Sequence, residues 1–197
     1  MNFEKINKVD KLLLNTNDVA TLLSVSKESA KVTAARYVKK GLLIRVKKDL
    51  YITTTKFALL KEEELFQIAN LIQTPSYISL TTALSYYEIT TQQQRNFIES
   101  IALKRSKDVI VNNVEFTFTK VKKEFYKGFE LKDSFFIATP EKALADAVYL
   151  SSFRRYNCDF EAIDFNKIKK DSISAYLENT NKRTILFWEN LCKTYKI

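Results

Sequence analysis

One stretch of the chain, residues 15–52, constrains the fold most because four local signals follow one another in a definite order. Residues 15–17 supply cap-forming side chains ahead of a short apolar helix, and Ser26 can cap a second helix. Gly41 follows where a helix C-cap favours a residue that tolerates the left-handed conformation. Two apolar runs around residues 47–49 then predict a β-hairpin. Helix, turn, helix, glycine and hairpin predict a winged helix-turn-helix domain.

The second of these helices has one apolar and one polar face. Ala30, Ala34 and Tyr37 recur at i, i+4 and i+7, the stripe expected where a helix packs closely on its predecessor. The first turns of a recognition helix usually contact base edges, whereas later residues and the wing meet phosphates. We therefore expect base contacts from Ser29, Lys31, Val32 and Arg36. We expect phosphate contacts from Lys27, Arg45, Lys47 and Lys48.

The charge of the chain supports a polyanionic partner. It carries 32 Lys and Arg against 23 Asp and Glu, a formal net charge of +9. The first 55 residues hold eleven of the basic and five of the acidic side chains, so +6 of this charge falls on the predicted DNA-binding domain. Such a charge balance favours a polyanionic partner, either nucleic acid or an anionic membrane surface, and the winged-helix pattern makes double-stranded DNA the expected partner. A membrane surface is disfavoured, because the basic residues follow a helix–hairpin module rather than an amphipathic helix.

The composition removes several kinds of chemistry. The chain has no histidine, the commonest general base and zinc ligand. Two glycines cannot form a glycine-rich phosphate loop. Cys158 and Cys192 lack metal or redox spacing, and reduced thiols in a cytoplasmic protein are the simpler interpretation. No signal peptide or membrane-spanning run is recognisable. We therefore expect a cytoplasmic binding protein with no cofactor and no catalytic site.

Residues 57–197 predict a second domain of a different kind. Residues 57–72 have a helical pattern, four strand-like runs lie between residues 97 and 138, and Asn112-Asn113 suits a tight turn between two of them. Thr139-Pro140 is a strong helix start, and the remainder is helical by pattern. The expected fold class is α+β: a winged helix-turn-helix domain over residues 1–56, then a mixed helical and antiparallel-sheet domain with a helical C-terminus.

One arrangement of charged residues keeps a catalytic alternative open. The Glu130-Leu131-Lys132 triplet, together with Asp108 and Glu115, loosely imitates the acidic pair and lysine of metal-dependent nucleases. Such triplets are common by chance. The alternative requires all four side chains to meet in space.

Three segments, in this order, resemble the AbiEi-type antitoxins. The first is the winged-helix series, with Asp18-Val-Ala-Thr-Leu-Leu, Ala30, Gly41-Leu-Leu-Ile-Arg-Val and Leu50-Tyr51. The others are Pro75-Ser-Tyr-Ile-Ser-Leu-Thr-Thr-Ala-Leu-Ser-Tyr-Tyr87 and Ala138-Thr-Pro-Glu-Lys-Ala-Leu-Ala-Asp146. The winged helix alone is shared by many regulators. The ordered trio, spread from about residue 16 to residue 150, is considerably more specific.

This resemblance implies a bacterial antitoxin of a type IV toxin–antitoxin, or abortive infection, system. Its functional partner would be a nucleotidyltransferase-like toxin encoded beside it, whose effect such antitoxins usually oppose without a stable complex. The N-terminal domain would repress the shared operon by binding inverted repeats, as a solution dimer or as two monomers that assemble on DNA. The residues that match DNA-facing positions of the family are Lys27, Lys31, Arg36, Arg45, Lys47 and Lys48.

The C-terminal part would supply the antitoxic function. We nominate Glu141, Lys142 and Asp146 as an antitoxic surface, although a simple structural role as a helix N-terminus competes with it. The chain departs from the family at two positions: Asp49 and Glu88 stand where relatives commonly carry glycine. A stand-alone winged-helix regulator whose C-terminal domain senses a ligand or dimerises remains the alternative function.

Overall fold

The computed structural model describes residues 3–197, which form two compact units. The first comprises the residues up to Ile68 together with Ile110–Asn113, and the second comprises Ala69–Val109 and Val114–Ile197. The division lies inside one helix, Glu62–Ile72, twelve residues beyond the domain boundary expected from the sequence. Both units combine helices with a β-sheet, so the α+β class is confirmed.

The first unit has the topology of a winged helix. Its elements are α1 (Phe3–Asn7), β1 (Leu14–Asn15), α2 (Thr16–Leu23), α3 (Lys27–Lys39), β2 (Leu43–Lys47), β3 (Leu50–Thr53) and α4 (Thr54–Phe57). The three strands form an antiparallel sheet in the order β1-β3-β2. The core joins Ile6 of α1 and Val19 of α2 to Ala30 and Ala34 of α3.

Local sequence signals explain where these elements begin and end. Asn15 and Asp18 form a capping box at the start of α2, and the Ser26 side chain accepts the backbone N–H of Ser29 at the start of α3. Gly41 follows α3 with φ +69°, a conformation that glycine adopts without steric cost. Asp49 takes φ +59° in the hairpin turn, where its side chain accepts a hydrogen bond from the hydroxyl of Thr16.

The second unit is built around a six-stranded sheet. Its strands are β4 (Ser76–Ile78), β5 (Phe97–Ala102), β6 (Lys107–Val111), β7 (Val114–Lys120), β8 (Phe129–Lys132) and β9 (Phe135–Ala138), in the order β6-β7-β5-β4-β9-β8. The expectation of an antiparallel sheet needs correction, because β5 pairs with β7 and β4 pairs with β9 in parallel. Alternation of side chains along a strand gives its buried face but not the direction of its neighbour.

Helices complete this unit. They are the last residues of α5 (Glu62–Ile72), which the division between the units crosses, and α6 (Leu80–Tyr86), α7 (Pro140–Ser152), α8 (Lys170–Leu177) and α9 (Lys182–Tyr195). The expected helix over residues 57–72 is interrupted, since α4 ends at Phe57 and α5 begins at Glu62. Every residue from Lys142 to Leu150 is buried, and α7 contacts α6, α8 and α9. No helix within residues 3–197 has the length and apolarity needed to cross a membrane.

Candidate nucleic-acid interface

Helix α3 packs on the core through one apolar face and leaves its charged residues exposed to solvent. Ala30 and Ala34 are completely buried, α3 contacts α2, and Tyr37 and Val38 pack beside the two alanines. Lys27, Lys31 and Arg36 are exposed. The expected face of the recognition helix therefore coincides with the solvent-exposed face of α3.

Two smaller residues complete the group of expected base readers. Val32 is 60% exposed, unusual for a β-branched apolar residue in a helix that has its own buried stripe. Such a side chain is suited to contact a thymine methyl group. Ser29 is exposed, but its hydroxyl accepts a hydrogen bond of 3.0 Å from Ser26, so it also serves the helix cap.

The β2–β3 hairpin carries the three wing cations that the sequence predicted. Arg45, Lys47 and Lys48 are exposed, whereas Val46 between them is buried. A bulge between Arg45 and Lys47 breaks the regular alternation, and the Nε of Arg45 donates to the carbonyl of Lys47 over 3.4 Å. The hairpin tip thus gathers three cations in a short length of backbone.

Further basic residues extend this interface beyond the predicted set. Lys39 and Lys40 are exposed at the C-terminal end of α3. Helical periodicity already places Lys39 on the outer face of this helix, but neither residue is among the expected contacts because the sequence does not fix how far a bound duplex would reach along the helix. With them, α3 and the hairpin carry eight cationic side chains against two carboxylates, Glu28 and Asp49.

The residues nominated as an antitoxic surface require correction. Lys142 and Asp146 have no exposed side-chain area, and they form an ion pair of 2.6 Å within α7. Tyr77 and Ser79 donate to the other oxygen of Asp146 over 3.1 and 2.7 Å. Only Glu141 keeps partial exposure. The pair is buried because α7 is covered by other elements on all sides, which its helical pattern alone could not reveal.

Burial disfavours the charged form of both Lys142 and Asp146. It lowers the pKa of Lys142 and raises that of Asp146, while their mutual attraction and the hydrogen bonds act in the opposite direction. The Lys142 ammonium also lies 3.5 Å from the centre of the Phe125 ring. The network joins β4, α7 and the short 3-10 helix Lys123–Phe125. Its geometry is that of a structural core, not of a contact surface.

The four residues of the nuclease alternative do not meet. Glu130 and Lys132 lie on β8 at one edge of the sheet, whereas Asp108 and Glu115 lie on β6 and β7 at the other. Glu130 instead accepts a hydrogen bond from Tyr87, and Lys132 stands over the rings of Tyr86 and Tyr87. Among residues 3–197 no cluster of three or more acidic or cysteine side chains could hold a metal ion.

Comparison with known proteins supports the fold and gives no information about function. No protein-family model matches the chain. No curated protein matches it by sequence. Among solved structures, the chain is similar to the RV2827C protein of Mycobacterium tuberculosis, with a TM-score of 0.63 and 7% sequence identity. The match covers 97% of this chain and 74% of the other. At such low identity, the similarity establishes a shared architecture.

Proposed function

We propose that the first unit binds double-stranded DNA, with α3 in the major groove and the β2–β3 hairpin on the phosphate backbone. The observation that carries this proposal is that all eight side chains predicted to contact DNA are solvent-exposed on these two elements. Arg36, Lys31, Ser29 and Val32 would read base edges. Lys27, Arg45, Lys47 and Lys48 would neutralise phosphates.

We further propose that the protein is a cytoplasmic antitoxin that represses its own operon and opposes a nucleotidyltransferase-like toxin. The resemblance to AbiEi-type antitoxins motivates this step. Two local features support it: Asp49 and Glu88, at positions where the family commonly has glycine, both adopt the left-handed conformation that glycine favours. The two later signature segments also contact each other, through Asp146, Tyr77 and Ser79.

A stand-alone regulator with a ligand-sensing second unit is the competing proposal. A cleft of about 630 Å³ between α8 and α9 favours it. Leu177, Ile185 and Trp188 contribute apolar surface to this cleft, the usual lining of a small-molecule site. The two proposals share the DNA-binding unit and differ in what the second unit does.

Binding to the DNA upstream of its own gene tests the DNA-binding function that both proposals share. Fluorescence anisotropy would compare this promoter fragment with a scrambled fragment of equal length, using the full chain. We expect preference for the promoter, and a loss of about 5–150-fold in affinity for it in Arg36→Ala, the size of one good base contact. Lys8→Ala, which removes an exposed charge just after α1, is the matched control. Equal affinity for both fragments would refute operator recognition.

Co-expression with the neighbouring gene tests the antitoxin part. If that gene encodes a toxin, the full chain should restore growth, and Arg36→Ala should still restore growth when expressed from a foreign promoter. Failure of the full chain to rescue growth, with promoter binding intact, would favour the stand-alone regulator.

A further inference from the structure

The second unit carries a concentrated basic surface of its own. Three segments distant in sequence, residues 120–127, 154–155 and 182–183, hold eight cationic side chains and one carboxylate, Glu124. All eight cationic residues are exposed. The other residues from 56 to 197 hold thirteen cationic and seventeen acidic side chains. The net charge of residues 56–197 is therefore small because a net charge of +7 in the three segments is offset by −4 in the other residues.

Contacts within the second unit bring the three segments together. A guanidinium nitrogen of Arg155 donates to the carbonyl of Lys120 over 3.4 Å. The Arg183 guanidinium lies 5.8 Å from the ring of Phe153, which directly precedes Arg154. One cleft is lined by residues 122 and 127 of the first segment and by Asn181, next to the third. We call the cations of these segments the basic face.

The charge of the basic face is not neutralised within the protein. Ion pairs join Lys11 to Asp18, Lys142 to Asp146 and Lys167 to Asp164, and within residues 3–197 no ion pair is found for a residue of the basic face. Clustered, unpaired and exposed cations of one sign produce a strong local potential. Such a surface attracts a chain of phosphates more readily than a neutral partner.

A second cleft adjoins the basic face and differs from it in chemistry. Its volume is about 630 Å³, and Arg154 and Arg155 contribute to its lining. The half-buried rings of Tyr156, Phe160 and Phe187 also line it. Aromatic faces beside guanidinium groups are the usual means by which proteins hold unstacked nucleobases and their phosphates.

The same cleft contains hydrogen-bonding groups suited to a base edge. The hydroxyl of Ser151 is buried and has no hydrogen-bond partner within the described part of the chain, although it lines this cleft. The exposed Asn157 offers an amide donor and acceptor. A buried hydroxyl without a partner costs free energy that a bound polar edge would recover.

We propose that the basic face and this cleft bind a single-stranded polynucleotide. Phosphates would follow the lysine and arginine side chains, and one unstacked base would enter between Phe187 and the arginines. Bases of an intact duplex are stacked and paired, so they cannot enter such a cleft. This surface is independent of the duplex-binding α3 and hairpin, and its ligand is of a different form.

Paired binding measurements on the full chain test this proposal. The probes are a labelled 20-nucleotide single-stranded RNA, the matching single-stranded DNA and a 20-base-pair duplex of unrelated sequence. We expect Lys122→Ala/Arg154→Ala/Arg155→Ala to weaken single-strand binding at least about tenfold and to reduce its salt slope by about 2. Phe187→Ala should weaken it about tenfold with an unchanged slope, through lost stacking. Comparing RNA with DNA identifies which sugar the surface prefers.

Two control variants distinguish the basic face from the remaining charge of the protein. Arg95→Ala/Lys169→Ala/Lys193→Ala removes three exposed charges of the second unit outside the basic face and should bind as the wild type. Arg36→Ala/Lys47→Ala should lose promoter duplex while it keeps the single strand. The proposal is overturned if the basic-face variant binds both single strands as the wild type does, or if only the α3 and hairpin variant loses single-strand binding. It is also overturned if the basic-face variant keeps single-strand binding and loses only the rescue of growth in the co-expression assay, which would make the face a protein interface.

Discussion

The two units differ in where the charged side chains of a central helix lie: they are exposed on α3 and mostly buried on α7. In the first, the polar side chains of α3 are exposed because the helix packs through one face, with Ala30 and Ala34 fully buried and Tyr37 and Val38 packed beside them. In the second, α7 is buried throughout, and its charged Lys142 and Asp146 are enclosed with it. A charged residue on the exposed face of a helix is therefore available to a binding partner. A charged residue on a buried helix instead needs a counterion and hydrogen bonds from within the protein.

The largest effect should come from breaking the buried network. Asp146→Ala leaves the Lys142 ammonium without its counterion and removes the acceptor of Tyr77 and Ser79. We expect the free energy of unfolding to fall by about 3–5 kcal/mol in urea denaturation. Glu141→Ala, on the half-exposed first turn, is the control and should change it by less than about 1 kcal/mol. Equal effects would mean that Asp146 is not the centre of a buried network.

A second buried carboxyl should make stability depend on pH. Glu99 is 3% exposed and accepts hydrogen bonds from Tyr156 and the Thr82 backbone, and burial raises its pKa to about 7. The folded state therefore holds a proton that the unfolded chain releases above about pH 4.5. The resulting stabilisation is complete below that pH and is lost as the pH rises through 7.

Comparison with Glu99→Gln isolates this effect. Between pH 4.5 and 8, the free energy of unfolding of the wild type should fall by about 3 kcal/mol relative to the variant. Urea denaturation at several pH values measures the difference. Parallel pH profiles for the two proteins would show that Glu99 titrates as an exposed carboxyl does.

A smaller effect tests the packing that exposes α3. Ala34→Leu inserts a larger side chain where α3 meets α2 and should destabilise the protein by about 1–3 kcal/mol. Ala35→Leu, one position along the helix and exposed, should have almost no effect on unfolding. If both variants were equally stable, α3 would not pack on its predecessor through this stripe.

Local signals predicted much of the fold. The caps at Ser26 and Thr139, the left-handed Gly41 and the Asn112-Asn113 turn all lie where the sequence placed them. Each depends on hydrogen bonds or backbone angles within a few residues. The exposed positions on α3 were predicted from helical periodicity and the helix start, and those of the wing were predicted from the hairpin.

Contacts between segments that are distant in the sequence could not be predicted from these local signals. The parallel pairing of β5 with β7 depends on how the chain crosses the sheet, which the pattern of either strand does not contain. The burial of Lys142 depends on helices that cover α7 from other parts of the sequence. The basic face was missed for the same reason, since its segments lie up to about sixty residues apart and acidic residues elsewhere mask their charge.

The salt dependence of promoter binding is the sharpest test of the DNA-binding proposal. Counterion release gives a slope of about −0.9 in log affinity against log salt for each phosphate that a protein neutralises on duplex DNA. If the hairpin cations lie on the backbone, Arg45→Ala/Lys47→Ala/Lys48→Ala should make the slope shallower by about 3 while the fold is retained. An unchanged slope, with the variant folded and still bound to the promoter, would contradict the proposal that the first unit reads DNA as a winged helix.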